Sequence, residues 1–248
     1  NSAAAITAYT KALTIQPRFV SALANRAISK QSVGDLQGAR ADYDAAIAID
    51  PSMALLYANR GTVLAEMQQS KAALADFDEA LRRNPHDADT WANKGLIYYR
   101  DGDYRQSVQS YTQALRELPQ SSLFYSLRAQ SKDAASDKVG ALLDLDSSLS
   151  LDSSYAPSLA FRARILSAMD STTAAISTYS RYLILQPSDT SVYMLRSALR
   201  KQVGDTVGAV ADIEAALALD PHSASALNSR GVLFLERKQY SKALGDFS

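Results

Sequence analysis

Two apolar stripes of helical period follow one another in residues 88–121. From Ala88 to Tyr99, Trp91, Gly95 and Tyr98 stand at i, i+4 and i+7, one face of a helix. Gly102-Asp103 stops that stripe, with glycine suited to the left-handed residue that closes a helix. A second stripe runs through Tyr104, Val108, Tyr111 and Leu115, and Pro119 ends it, because proline cannot continue a helix interior. The pattern predicts two short helices joined by a tight turn.

The same pattern recurs along the whole chain with a period of 34 residues. Pro17, Pro51, Pro85, Pro119, Pro187 and Pro221 share one grid, and Ser153 fills its empty slot. Small residues occupy a second grid (Ala27, Gly61, Gly95, Ala129, Ala163, Ser197, Gly231) and a third (Ala39, Ala73, Ser107, Ala141, Ala175, Ala209, Ala243). Large residues fill a fourth: Tyr9, Tyr43, Phe77, Tyr111, Leu145, Tyr179, Ile213 and Phe247. Small columns let two helices approach closely, and the large column fills the gap to the next pair. One pair cannot bury its apolar face alone, so a period of this size predicts a stack of pairs. The expected array covers 1–248. Residues 1–19 are the second helix of a cut repeat, complete repeats are 20–53, 54–87, 88–121, 122–155, 156–189 and 190–223, and 224–248 is incomplete. Both ends fall inside repeats, which predicts a piece of a longer protein and apolar end faces prone to end-to-end self-association.

This grid resembles the tetratricopeptide repeat family. Its clearest carrier is the third repeat, with Trp91, Gly95 and Tyr98 on the first helix and Gly102, Tyr104, Ser107, Tyr111, Ala114 and Pro119 after it. Departures gather in 122–155, where Leu145, Ser148 and Ser153 replace the aromatic, alanine and proline; in the next repeat Tyr182 occupies the alanine column. The resemblance implies an all-α, right-handed superhelical solenoid of antiparallel helix pairs, with first helices lining the inner surface. It also implies a protein-binding scaffold that takes an extended peptide or a helix in a concave groove.

Composition adds exclusions. The 248 residues carry 26 basic and 26 acidic side chains, so the basic excess of a nucleic-acid binder is missing. There is no cysteine for thiolate chemistry. No apolar run reaches the roughly 18 residues that span a bilayer. We therefore expect no nucleic-acid partner and no membrane insertion; the compartment stays open, a soluble cytoplasmic protein being the default. His86 and His222 are the only histidines and stand far apart in the array, and no phosphate-loop, dinucleotide or nucleophile-elbow motif occurs. The expectation is a non-enzymatic protein without cofactor; the alternative is the substrate-recruiting part of a larger enzyme whose catalytic domain lies outside these residues.

Two columns hold the candidate ligand contacts. Asn25, Asn59 and Asn93 share one, and an amide side chain offers the donor and acceptor that match a peptide unit. That column continues as Leu127, Phe161 and Leu195, an apolar surface for side-chain anchors, with Leu123 and Met194 nearby. A basic column runs through Arg26, Arg60, Lys94, Arg128, Arg162, Arg196 and Arg230. Sixteen residues on stand Asp42, Asp76, Ser110, Asp144, Thr178, Asp212 and Asp246, so most of these cations are expected in ion pairs within a repeat. Lys94 and Arg162 face Ser110 and Thr178, and are therefore expected to be free for a ligand. The Lys and Asn pattern with which some family members grip the acidic tail of heat-shock proteins is absent: Ala24, Ile28, Asp89 and Asn93 occupy its positions around Asn59. That partner is not predicted.

Overall fold

The computed structural model describes residues 1–248 as fifteen α-helices. These are α1 Ser2–Ile15, α2 Val20–Gln31, α3 Leu36–Ile49, α4 Ala54–Glu66, α5 Ser70–Arg83, α6 Ala88–Arg100, α7 Tyr104–Glu117 and α8 Ser122–Ala134. They continue as α9 Lys138–Leu151, α10 Ala156–Ala168, α11 Thr172–Leu185, α12 Thr190–Gln202, α13 Thr206–Leu219, α14 Ala224–Glu236 and α15 Tyr240–Phe247. The fold is an all-α solenoid of helix pairs, and even-numbered helices are the first of each pair. Two compact units divide it, Asn1–Ala135 and Ser136–Ser248. Within the first, each helix from α1 to α7 packs on its successor; the same holds from α9 to α14 in the second. In the first unit α4 also touches α6, its counterpart one repeat on.

The helix breaks are local chemistry repeated on the grid. Residues 34, 68, 102, 136, 170, 204 and 238 all have positive φ. Glycine fills three of these positions; Gln68, Ser136, Asp170 and Lys238 adopt the same left-handed turn with a side chain in place. Asp35, Asp103, Asp137 and Asp205 then cap the second helices, each carboxylate accepting the backbone N–H three residues on. At the far end the residue before each proline is extended, as at Asp50 with φ −134° and Asn84 with φ −131°. Asp152 has φ −138° with no proline after it. Its carboxylate accepts Ser154 N at 2.9 Å and Ser154 Oγ at 2.7 Å, the turn that Asp50 makes with Ser52. Serine at 153 therefore leaves the break intact.

The columns form the core. Ala39, Ala73, Ala141, Ala175 and Ala209 have no exposed surface, and Tyr43, Phe77, Tyr111, Leu145 and Ile213 are buried beside them. At Gly61 an added Cβ would lie 2.6 Å from the Phe77 ring, and at Gly95 2.9 Å from Tyr111, so these glycines set the approach of first to second helix. In repeat 122–155 serines replace apolar residues inside. Ser131 takes the place of Val63, Ile97, Ile165, Leu199 and Leu233, and its Oγ lies 2.7 Å from the buried Ser107 Oγ. The buried Ser126 hydroxyl has no hydrogen-bond partner.

Candidate functional site

The basic column is structural, and most of its cations have a second partner on the preceding repeat. Arg26 grips Asp42 through Nε and Nη2 at 2.8 and 2.7 Å; Arg60 holds Asp76 at 2.7 and 2.7 Å. Arg196 on Asp212 and Arg230 on Asp246 repeat the two-pronged geometry in the second unit. All but Arg230 also reach back sixteen residues, to the second helix of the preceding repeat. Arg60 Nη1 donates to Asp44 at 2.7 Å, Arg128 to Thr112 at 3.1 Å and Arg196 to Ser180 at 2.9 Å. This corrects the expectation for Lys94 and Arg162. Lys94 is buried and pairs with Asp78, while Arg162 pairs with Asp146 at 2.7 Å and donates to Thr178 at 3.0 Å. Where the carboxylate sixteen residues on is missing, one stands sixteen residues before. The grid Thr10, Asp44, Asp78, Thr112, Asp146, Ser180 and Glu214 was available in the sequence to find it.

These pairs shift protonation. Burial would raise the Asp42 carboxyl, but hydrogen bonds from Arg26 and Lys30 outweigh it and hold the group below its ordinary value. Burial pushes the Tyr43 phenol up to about 12. Its hydroxyl sits beside the Asn59 amide, outside hydrogen-bonding geometry.

The asparagines lie on the first helices of the first unit: Asn25 on α2, exposed, and Asn59 and Asn93 on α4 and α6, half-buried. The amides of Asn25 and Asn93 make no hydrogen bond within the chain. Asn93 borders a hollow between α4 and α6, walled by Thr62, Ala65, Glu66, Leu96 and Arg100 and floored by Phe77 and Ile97. An equivalent hollow lies in the second unit between α12 and α14, bordered by Met194, Ala198, Asn228, Ser229 and Val232. There Ser229 stands where Asn93 stands and Ala198 where Thr62 stands, four repeats on. A neighbouring hollow adds Ser191, Leu195 and Ser225.

The apolar continuation of the asparagine column divides. Leu195 is half-exposed and borders its hollow. Leu127 packs against the cluster of Phe124 and Tyr111. Phe161 is turned inward and buried, with the Arg164 guanidinium 4.6 Å from its ring centre, so it presents no open apolar face.

Antiparallel helix pairs on one 34-residue grid, with hollows between successive first helices, define a helical-repeat scaffold of the kind that binds other proteins. The chain carries tetratricopeptide repeats: that family's model matches residues 58–122 and 199–248. Among solved structures it is similar to the C-terminal part of a TPR repeat-containing protein from Cytophaga hutchinsonii. Identity is 18%, the TM-score 0.81, and the match covers 92% of this chain and 94% of that one. It is also similar to PilF of Pseudomonas aeruginosa, at 18% identity and TM-score 0.68 over 89% of this chain and 96% of that one. YrrB, described as a TPR protein with an unusual peptide-binding site, matches at 17% identity and TM-score 0.62, covering 79% and 97%. At such identities the likeness is one of fold. No helix is long and apolar enough to cross a membrane.

Proposed function

We propose that the first-helix face of the 54–121 region, with Asn25 before it, binds an extended segment of a partner protein. The observation that carries this reading is the pairing of unengaged amides with apolar-floored hollows: Asn25 and Asn93 make no internal hydrogen bond, and Asn93 stands at the rim of the α4–α6 hollow. An amide can give and take one hydrogen bond with a peptide unit whatever its side chain, while the hollow selects an apolar anchor. The scaffold is ordered before the ligand arrives, so ordering costs fall on the peptide. Leu195 and Met194 offer a second anchor position within the second unit. Leu127, Phe161, Lys94 and Arg162 support the face rather than contact the ligand. The expected activity is binding, not catalysis.

The test is panning of a phage-displayed random dodecapeptide library on the protein and on an Asn25→Ala/Asn59→Ala/Asn93→Ala variant with unchanged circular dichroism. The proposal expects peptides enriched on the natural protein to bind the triple variant at least tenfold more weakly. Equal binding to both would remove the asparagines from the site.

A further inference from the structure

We infer that the α4–α6 hollow selects a peptide in which an aliphatic residue and a single acidic residue stand two apart; this rests on the peptide-binding reading above. Asn93, Leu96 and Arg100 occupy i, i+3 and i+7 of α6, one stripe along the hollow's wall. Leu96 is 45% exposed beside the floor of Phe77 and Ile97, both almost fully buried. That floor is open to an aliphatic side chain and hostile to a charge. Arg100 is exposed, and its only hydrogen bond is from Nη1 to Ala65 O at 3.5 Å, the outer limit of such a contact. The guanidinium keeps its other donors for a carboxylate.

Spacing fixes the motif. From Leu96 to Arg100 the helix rises about 6 Å. Two residues of extended chain cover about 6.6 Å and point their side chains to the same face. An aliphatic residue opposite Leu96 thus brings the residue two positions away opposite Arg100, in either chain direction. Glu66 stands on the opposite wall, its carboxylate accepting Gln31 Nε2 at 2.7 Å. A neutral amide leaves that charge in place, so the hollow admits one acid at Arg100 and repels a run of them. This separates the site from one built for a polyacidic tail.

The same library is panned in parallel on the natural protein, on Arg100→Glu and on Leu96→Asp. Both residues are exposed, and circular dichroism checks the fold of each variant. Natural-protein sequences are expected to share an aliphatic and an acidic residue two apart. Fluorescence polarisation is expected to show each losing tenfold or more of its affinity for Arg100→Glu, and replacing the peptide's acid with lysine to restore binding to that variant. If all three proteins enrich the same sequences, peptide binding stands and this inference is overturned. If none enriches any sequence, both fall.

Discussion

Gln68, Ser136, Asp170 and Lys238 hold the left-handed backbone that Gly34, Gly102 and Gly204 hold in other repeats. A Cβ in that conformation crowds the following carbonyl, costing about 1–2 kcal/mol, part of which glycine gives back through its freer unfolded chain. Gln68→Gly is therefore expected to stabilise the protein by about 0.5–1 kcal/mol in urea unfolding, with an unchanged slope; Gly34→Ala is expected to destabilise it. The ion pairs act at the same scale. Because the Asp42 carboxyl sits lower in the folded chain than in the unfolded one, its contribution is complete above the unfolded pKa and fades as pH falls through the folded value. Melting temperature should thus drop between about pH 5 and 2, more steeply in the natural protein than in Asp42→Asn. At pH 7 that variant should lose about 2 kcal/mol, the worth of hydrogen bonds to a charged partner. The turns were legible in the sequence where glycine marked them and hidden where glutamine or lysine filled the same backbone. The backward partners of the cations were hidden for another reason: a pair within one repeat reads off a single hairpin, whereas Asp78 meets Lys94 only once two repeats stack.

At the scale of the helix, the small column decides how closely a pair closes. Phe77 is almost fully buried, and a methyl group placed at 61 would lie 2.6 Å from its ring. Gly61→Ala is expected to cost about 1–3 kcal/mol of overpacking, and Gly61→Ala with Phe77→Leu to recover part of it. The serines of 122–155 act in the opposite sense. Ser131 removes an aliphatic side chain from the interior of α8, a burial worth about 2 kcal/mol elsewhere in the column. Ser126 adds a buried hydroxyl without a partner. Amide exchange in 122–155 should therefore be faster than in 54–121, measured by hydrogen–deuterium exchange with mass spectrometry. Equal protection across both stretches would contradict that reading. Phe161 shows why pattern alone misplaced an apolar residue. Its column position faces the surface in α2 and α12, but an aromatic there turns inward and a cation covers its ring.

At the scale of the molecule, repetition does for stability what a single core does in a globular domain, each unit burying its apolar columns against neighbouring helices. The period, the helix pairs and their breaks were readable from the sequence because every one rests on local chemistry repeated on one grid. The proposed ligand-binding face was readable only in part. Asparagine was visible as a column, but the hollow that gives Asn93 a neighbourhood exists only where α4 and α6 meet. Every cation of the basic column described above is paired, whereas Arg100, six residues beyond Lys94, has donors to spare. In the proposed function, first helices bind the peptide and second helices support them. Titration of the 15N-labelled protein with a panned peptide, followed by amide chemical shifts, tests it most directly. Shifts are expected to cluster on α2, α4 and α6, largest around Asn93, Leu96 and Arg100. Shifts confined to α3, α5 and α7, or absent at saturating peptide, would contradict it.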